Sequence, residues 1–166
     1  MGLLQTKLAL MLIILAAATA LAAAFIGQYG FELQPCVLCV YQRWPYAIAI
    51  VLCLGALTPW GRQLAGWVLL VSALVLAVNS GIAVYHVGVE QHWWAGSEVC
   101  VGTRGTAQTL AALRAQIMAT PVTRCDEVAF SLFGVSMAGY NVLFSAGLAA
   151  YAGLAGRLAR KDALIE

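Results

Sequence analysis

Pro35-Cys36-Val37-Leu38-Cys39-Val40-Tyr41-Gln42-Arg43-Trp44-Pro45 opens an apolar run that continues from Tyr46 to Thr58. Proline is favoured in the first turn of a helix, and a run of about 20 apolar residues spans the hydrocarbon core of a bilayer. In a helix that begins here, Cys39 lies one turn after Cys36, and Arg43 one turn after Cys39. The stretch predicts a membrane helix that carries two sulfurs and a permanent cation where water meets lipid.

The position of Cys36 and Cys39 at the start of a helix predicts that they are reactive. The helix dipole and the free N–H groups at a helix N-terminus stabilise a thiolate, so we expect the thiol pKa of Cys36 to be lowered. A Cys-x-x-Cys pair by itself is also used in zinc, haem and structural disulfide sites. No histidine follows Cys39, which excludes attachment of c-type haem, and the sequence has no second close Cys/His pair for zinc.

The composition defines the fold class. Of 166 residues, 63% are hydrophobic and 10% are charged, which is not the composition of a soluble globular protein. Continuous apolar runs exclude the alternating pattern of a membrane β-barrel. The net charge of +2 is too small to indicate nucleic-acid binding. We predict an all-α membrane protein, a single domain over residues 1–166 that forms a bundle of four transmembrane helices.

The apolar runs set the expected bounds of the helices. The first run, Leu8 to Ile26, is long for the apolar core of a signal peptide, although Ala22-Ala23-Ala24 resembles a cleavage site, so a retained helix is favoured. In the long loop, Leu110, Leu113 and Ile117 recur at helical spacing and predict either a short amphipathic helix on the membrane surface or a helix packed within the loop. The expected helices are about 8–26, 36–58, 64–86 and 135–156, with the loop over about 87–134.

Positive residues near the helix ends predict the orientation. They are concentrated in the two tails and one short turn, which argues that both termini are cytoplasmic. The first cysteine pair and the long loop then face a compartment that permits disulfides. The positive residues on which this orientation rests are Lys7, Arg62, Arg157, Arg160 and Lys161.

The cysteines divide by depth. Cys53 lies 14 residues beyond Cys39, about 21 Å deeper at 1.5 Å per residue, so we interpret it as a buried small apolar residue. The four outward cysteines allow three pairings. Pairing of Cys36 with Cys39, and of the two loop cysteines 100 and 125 with each other, is the simplest. The pattern allows two static disulfides or two pairs that exchange.

At these residues the chain resembles the DsbB family of bacterial inner-membrane thiol oxidases. The resemblance covers nearly the whole length, and the combination of motifs is more specific than any one of them. The matching segments are Pro35-Cys36-Val37-Leu38-Cys39-Val40-Tyr41-Gln42-Arg43, Tyr85-His86-Val87-Gly88-Val89-Glu90, Trp93-Trp94, Cys100, Arg124-Cys125-Asp126-Glu127 and Gly134-Val135-Ser136-Met137-Ala138.

The resemblance implies an enzyme that reoxidises a DsbA-like periplasmic protein of the thioredoxin fold. By position, Cys100 is implied as the sulfur that the reduced partner attacks. Cys125 is implied as its exchange partner, able to bridge transiently to Cys36. Two electrons then pass to a quinone in the membrane, ubiquinone or menaquinone.

The same resemblance implies a quinone site at the first cysteine pair. Cys39 is the implied thiolate facing the quinone ring, and Arg43 is implied to hold the quinone. Gln42 and His86 are further candidates for the quinone site, and a structural hydrogen-bonded histidine at the helix end is the alternative for His86. The sequence carries no haem, flavin or iron–sulfur motif that could accept the electrons instead.

Three other interpretations remain open. A quinone reductase of the vitamin K epoxide reductase type also has a membrane Cys-x-x-Cys, but there the pair lies late in the chain. A non-enzymatic membrane scaffold would use two structural disulfides to hold its outer loops. A metal-binding role is the third.

Overall fold

The computed structural model describes residues 2–97, 100, 109–111, 114 and 123–163. A 3₁₀ turn over Arg62–Leu64 precedes the third long helix, and a short hairpin precedes the last one. The elements are α1 (Leu3–Gly30), α2 (Val37–Tyr41), α3 (Arg43–Leu57), α4 (Ala65–Glu90), β1 (Ser131–Leu132), β2 (Val135–Ser136) and α5 (Met137–Ala163).

Four helical segments in the described part of the chain are long and apolar enough to cross a membrane. They are Leu3–Gly30, Val37–Leu57, Arg62–Glu90 and Met137–Lys161. The 28 residues of α1 extend about 42 Å at 1.5 Å per residue, more than the hydrocarbon thickness of about 30 Å. The predicted all-α fold with four membrane helices is therefore confirmed.

The helices pack through small residues. Alanines fill much of the buried interior, which allows close approach of the helix backbones where lipid replaces water outside. The most extensive contact is between α4 and α5, and α3 lies against both α1 and α4. Larger side chains of α1 and α4 complete this core, among them Leu10, Ile13, Leu69 and Leu76.

Three helices, α1, α4 and α5, end beyond the expected bounds, whereas the second span, Val37–Leu57, stays within the expected 36–58. Hydropathy marks only the part of a helix in hydrocarbon, whereas hydrogen bonding continues into the polar ends. The end of α4 is at Glu90 rather than at His86, so Glu90 lies one turn after His86. The amphipathic helix predicted over 110–117 falls largely outside the described residues.

The hairpin is a local addition to the all-α prediction. Its strands pair Ser131 with Ser136 and Leu132 with Val135. The two turn residues, Phe133 and Gly134, both have positive φ, 51° and 79°, as tight two-residue hairpin turns require. The hairpin directs the chain into α5.

The second span is broken at Gln42, where one continuous helix was predicted. Pro45 has no N–H and its ring crowds the carbonyl four residues earlier, so a helix through this point is interrupted. In the structure Pro45 falls in the first turn of α3, where a missing N–H leaves no bond unmade. Gln42 ends α2, and its side chain is buried inside the bundle.

Trp94 packs against the C-terminal end of α4. Its indole Nε1 donates to the carbonyl of Tyr85 at 3.0 Å, and its ring stacks on the Tyr85 ring with centroids 6.0 Å apart. A Cβ at Gly88 would lie 1.9 Å from the Trp94 ring, so only glycine permits this contact. The tryptophan therefore holds the end of the helix that carries His86.

Cys53 is buried in the bundle core, as its depth predicted. It is fully buried, and its Sγ lies 3.7 Å from Ser72 Oγ. We expect Cys53→Ala to leave the redox behaviour of the other cysteines unchanged and to lower the free energy of unfolding by about 1 kcal/mol, because a small cavity is left. Thiol titration and thermal unfolding would test this, and a large fall in redox turnover of a folded variant would contradict it.

Candidate functional site

The two pairs of cysteines, Cys36 with Cys39 and Cys100 with Cys125, meet at one end of the bundle. Cys36, Cys100 and Cys125 belong to one buried cluster with Leu38 and Val89, and the Cys39 side chain packs against it. Chain neighbours do not explain this, because Cys125 is 89 residues beyond Cys36. The fold therefore places all four sulfurs within one small region.

Cys36 and Cys39 lie at the start of α2. Cys36 is the N-cap residue, and its sulfur accepts the backbone N–H of Cys39 at 3.3 Å. The two Sγ atoms are 2.9 Å apart, compared with about 2.0 Å in a disulfide, so a small movement is enough to join them.

The reduced pair is asymmetric. The Cys36 thiol donates to the Cys39 sulfur, and this hydrogen bond together with burial raises the pKa of Cys36 to about 12. The expectation of a lowered pKa at Cys36 was therefore wrong. The backbone N–H of Cys39, at the start of α2, does donate to the Cys36 sulfur. It lowers the pKa of Cys36 by less than the donated proton and burial raise it. A hydrogen bond donated to a sulfur stabilises its thiolate, which favours Cys39 as the charged member.

Cys125 connects the second pair to the first. Its backbone N–H donates to the carbonyl of Cys100 at 2.9 Å, and its side chain packs in the same buried cluster as Cys100 and Cys36. Burial, followed by the Cys100 hydrogen bond, raises the pKa of the Cys125 thiol. A sulfur in this position is able to exchange with either neighbour.

Two ion pairs hold the segment around Cys125. The Arg124 guanidinium donates through Nε to Asp126 Oδ1 at 2.9 Å and through Nη2 to Oδ2 at 2.5 Å. Its Nε also lies 3.2 Å from Glu127 Oε1. Arg124 lowers the pKa of the Asp126 carboxyl, chiefly through these hydrogen bonds. The segment therefore keeps a local structure at the bundle surface.

His86 comes to the cysteines from α4. Its Nε2 is 3.5 Å from Cys36 Sγ and 3.7 Å from Glu90 Oε1, while its Nδ1 is 3.1 Å from Gln42 Nε2. Glu90 in turn accepts a hydrogen bond from Ser136 at 2.5 Å. The two residues proposed from sequence beside the first pair, Gln42 and His86, are thus in direct contact with each other.

Arg43 lies at the side of the same region. Its Nη1 donates to Gln28 Oε1 at 2.6 Å, and its guanidinium carbon lies 5.0 Å from the centre of the Phe25 ring. The Nε–H is buried and has no hydrogen-bond partner within the described residues. A buried guanidinium N–H without an acceptor indicates a place for an acceptor atom of a ligand.

A cavity of about 420 Å³ joins these groups. Its volume is in the range of small-molecule sites, and its wall is mostly apolar. Its polar lining includes Cys39, Arg43, Gln42, His86, Tyr46 and Asn141. These residues suit a quinone, because an apolar ring fits the wall and the free Nε–H of Arg43 offers a donor to a ring oxygen.

Tyr46 and Asn141 are among the polar residues of this cavity that sequence reasoning missed. The Tyr46 hydroxyl donates to Asn141 Oδ1 at 2.5 Å, and Asn141 Nδ2 donates to Gln42 Oε1 at 2.7 Å. A signal was available, because an asparagine inside a membrane helix is uncommon enough to suggest function. Only the packing of α5 against α3 shows which residues it contacts.

The fold also supplies a third metal donor that the sequence spacing did not reveal. The ligand atoms of Cys36, Cys39 and His86 all lie within 4.8 Å of one another. Two thiolates and an imidazole are typical zinc ligands, and three protein ligands leave a fourth position open. The reduced site therefore has a donor set that suits zinc.

The fold and the site together define a class of protein, a four-helix membrane protein with two cysteine pairs packed together beside an apolar cavity. The family model for the disulfide bond formation protein DsbB matches residues 6–155 of this chain. The chain therefore belongs to the DsbB family.

Curated proteins are similar over most of the chain. An uncharacterized protein, RP370, of Rickettsia prowazekii (strain Madrid E) is 32% identical over 137 residues, which cover 81% of this chain and 78% of that protein. Disulfide bond formation protein B of Xanthomonas euvesicatoria pv. vesicatoria (strain 85-10) is 29% identical over 157 residues, 90% of each chain. The protein of the same name from Xanthomonas axonopodis pv. citri (strain 306) has the same identity and coverage. No solved structure matches the chain significantly.

Proposed function

We propose that this protein is a thiol:quinone oxidoreductase that reoxidises a periplasmic DsbA-like protein and passes two electrons to a membrane quinone. The observation that carries the proposal is the juxtaposition of the two cysteine pairs at the cavity that Arg43 lines. Membership of the DsbB family supports it.

The cysteine contacts and the family membership support the following exchange steps. A thiolate of the reduced partner attacks Cys100 of a Cys100–Cys125 disulfide, which forms a mixed disulfide and releases Cys125. The second partner thiol then breaks the mixed disulfide, so that the partner leaves oxidised and both loop cysteines are reduced.

Electrons pass inward by a second exchange. The Cys125 thiolate attacks Cys36 of a Cys36–Cys39 disulfide and releases Cys39 as a thiolate. Attack of Cys100 on Cys125 restores the loop disulfide and leaves the first pair reduced. The packing of Cys125 in one buried cluster with Cys100 and Cys36 supports this order.

Residues of the cavity would hold the quinone, ubiquinone or menaquinone. The quinone supplies the oxidant, since it accepts two electrons and two protons. Cys39 lines the cavity, and its sulfur accepts a hydrogen bond from the Cys36 thiol. Arg43 offers a fixed positive charge and a free N–H, which stabilise negative charge on a nearby oxygen.

The direct test uses purified protein, a reduced DsbA-like partner and a soluble quinone analogue. We expect the quinone absorbance to fall by one equivalent for each partner disulfide formed. A folded protein that leaves both the quinone and the partner unchanged would contradict the proposal. A vitamin K epoxide reductase-like enzyme would instead consume quinone with other thiol reductants but discriminate against the DsbA-like partner.

The orientation in a bacterial inner membrane, with both termini cytoplasmic, is part of the proposal. Gln63 and Gln91 are exposed at opposite ends of the third span, so Gln63→Cys and Gln91→Cys probe the two sides. In intact cells stripped of the outer membrane, an impermeant maleimide should add label to the Gln91→Cys variant alone. Extra label only on the Gln63→Cys variant would show that the protein has the opposite orientation.

Zinc binding by the reduced protein is a second candidate, favoured by the three clustered donors. We expect the reduced protein to take up Zn²⁺ with release of protons, because thiols must lose a proton to bind metal. His86→Gln should weaken uptake, whereas Cys53→Ala should not. Absence of proton-linked zinc uptake by the reduced protein would dispose of this candidate.

A further inference from the structure

A continuous chain of side-chain hydrogen bonds runs from the bundle interior to the first cysteine pair. Tyr46 donates to Asn141 at 2.5 Å, Asn141 donates to Gln42 at 2.7 Å, and Gln42 contacts His86 Nδ1 at 3.1 Å. The side chains come from α3, α5, the break between α2 and α3, and α4. Tyr46, Gln42 and His86 are each less than 9% exposed, so water competes little for these bonds.

The direction of each bond in the chain is set by the one before it. An amide side chain accepts only through oxygen and donates only through nitrogen. Because Asn141 Oδ1 accepts from Tyr46, its Nδ2 is the atom that faces Gln42, where it donates to Oε1. Gln42 is then left with its NH₂ group toward His86.

This direction determines where the imidazole proton lies. An NH₂ group cannot accept, so Nδ1 of a neutral His86 must be the acceptor, and the ring proton is then on Nε2. Nε2 faces the Cys36 sulfur at 3.5 Å and Glu90 Oε1 at 3.7 Å.

We propose that Tyr46 and Asn141 are positioning residues that act through Gln42 to hold neutral His86 as the Nε2–H tautomer, with its proton directed at Cys36. The consequence for catalysis rests on the proposed function. When Cys36 is released from a disulfide during exchange, the Nε2–H group donates to the departing sulfur and stabilises its charge. With the opposite tautomer, Nε2 would present a lone pair to that sulfur instead.

Histidine NMR gives a readout that is independent of enzyme activity. The chain contains only two histidines, His86 and His92, so a His92→Gln variant assigns the signals of protein labelled with ¹⁵N-histidine and carrying a tag without histidine. In the spectrum of the unmodified protein we expect Nδ1 of His86 to be unprotonated and Nε2 to carry the proton. A proton on Nδ1 in the unmodified protein would overturn the proposal.

Asn141→Asp is the informative variant. A carboxylate cannot donate, so it would accept from the Gln42 NH₂ group and turn Gln42 Oε1 toward His86. We expect the tautomer to invert, with the proton on Nδ1. Asn141→Leu and Tyr46→Phe release the constraint and should give a mixture of tautomers. These two variants keep the test decisive if the buried carboxylate prevents folding.

Ser80→Ala is the matched control. Ser80 also joins α4 to α5, donating to the Val142 carbonyl at 3.2 Å, but it lies outside the chain of bonds. Its replacement should leave the His86 tautomer unchanged. A folded Asn141→Asp variant with the same tautomer as Ser80→Ala would contradict the proposal.

The catalytic consequence is measured separately. In a single turnover from the Cys100–Cys125 dithiol to the Cys36–Cys39 disulfide, Asn141→Asp should slow exchange about tenfold, as expected for loss of one hydrogen bond to a charged group. The KM for the partner should stay unchanged. If the His86 tautomer inverts and cysteine exchange is not slower, the proposed effect of the tautomer on catalysis is overturned. If the unmodified protein reduces no quinone, the proposed function is refuted. The tautomer of His86 would still be decided by the NMR experiment.

Discussion

Replacement of Cys39 by serine is expected to abolish quinone reduction while leaving a single round of partner oxidation. Serine cannot form a disulfide, so Cys36 has no local partner, and the rate of quinone reduction should fall by at least about 1000-fold. The loop pair is unaltered, and its disulfide can still accept electrons once from a reduced partner. Quinone absorbance and the number of partner disulfides formed per protein measure the two effects.

Cys53→Ala is the matched control for Cys39→Ser, because Cys53 is on the same span but fully buried in the bundle core. It should retain full turnover. A scaffold whose disulfides only hold its loops predicts another pattern, in which Cys39→Ser lowers the stability of the loop and leaves function intact. Sustained turnover by Cys39→Ser would therefore remove the first cysteine pair from the electron route.

Arg43→Ala is expected to lower kcat/KM for quinone by about 100-fold, the usual effect of removing one preorganised donor from a buried site. The guanidinium lines the cavity and has a buried Nε–H without an acceptor among the described residues. Exchange among the cysteines, measured without quinone, should continue at the normal rate because Arg43 contacts Gln28 and Phe25 rather than a sulfur.

Arg43→Lys separates charge from geometry. Lysine keeps the positive charge but lacks the planar fork and the Nε–H donor, so we expect an intermediate kcat/KM for quinone. Arg62→Ala, at the opposite end of the bundle, is the control and should match the unmodified protein. If Arg43→Ala slows quinone-free exchange as much as quinone reduction, the residue acts on the cysteines and not on the quinone.

Much of the fold could be predicted because the local amino-acid composition identifies membrane helices. Each span is a continuous apolar run, and lipid leaves the backbone little alternative to a helix. The helix ends were less predictable, since residues such as Glu90 continue the hydrogen bonding of α4 beyond the apolar run. The break at Gln42 could have been anticipated from Pro45, which cannot continue a helix that begins at Cys36.

The candidate site was predictable only in part. The spacing of Cys36, Cys39 and Arg43 is local, and all three residues line the cavity. The protonation of the first pair was not predictable, because it depends on which sulfur donates to the other and on burial. The Asn141–Gln42 bond joins residues 99 positions apart, and no local pattern encodes such a contact.

The sequence by itself determined the class of fold, the burial of Cys53 in the bundle core and the candidate cation beside the first pair, because hydropathy and helical spacing act over a few turns. Only the tertiary structure decided that Cys125 reaches Cys36, that His86 and Glu90 lie beside the sulfurs, and that Tyr46 and Asn141 orient Gln42. These contacts depend on how helices and a loop distant in the chain pack together. Packing is a property of the whole molecule rather than of any one segment.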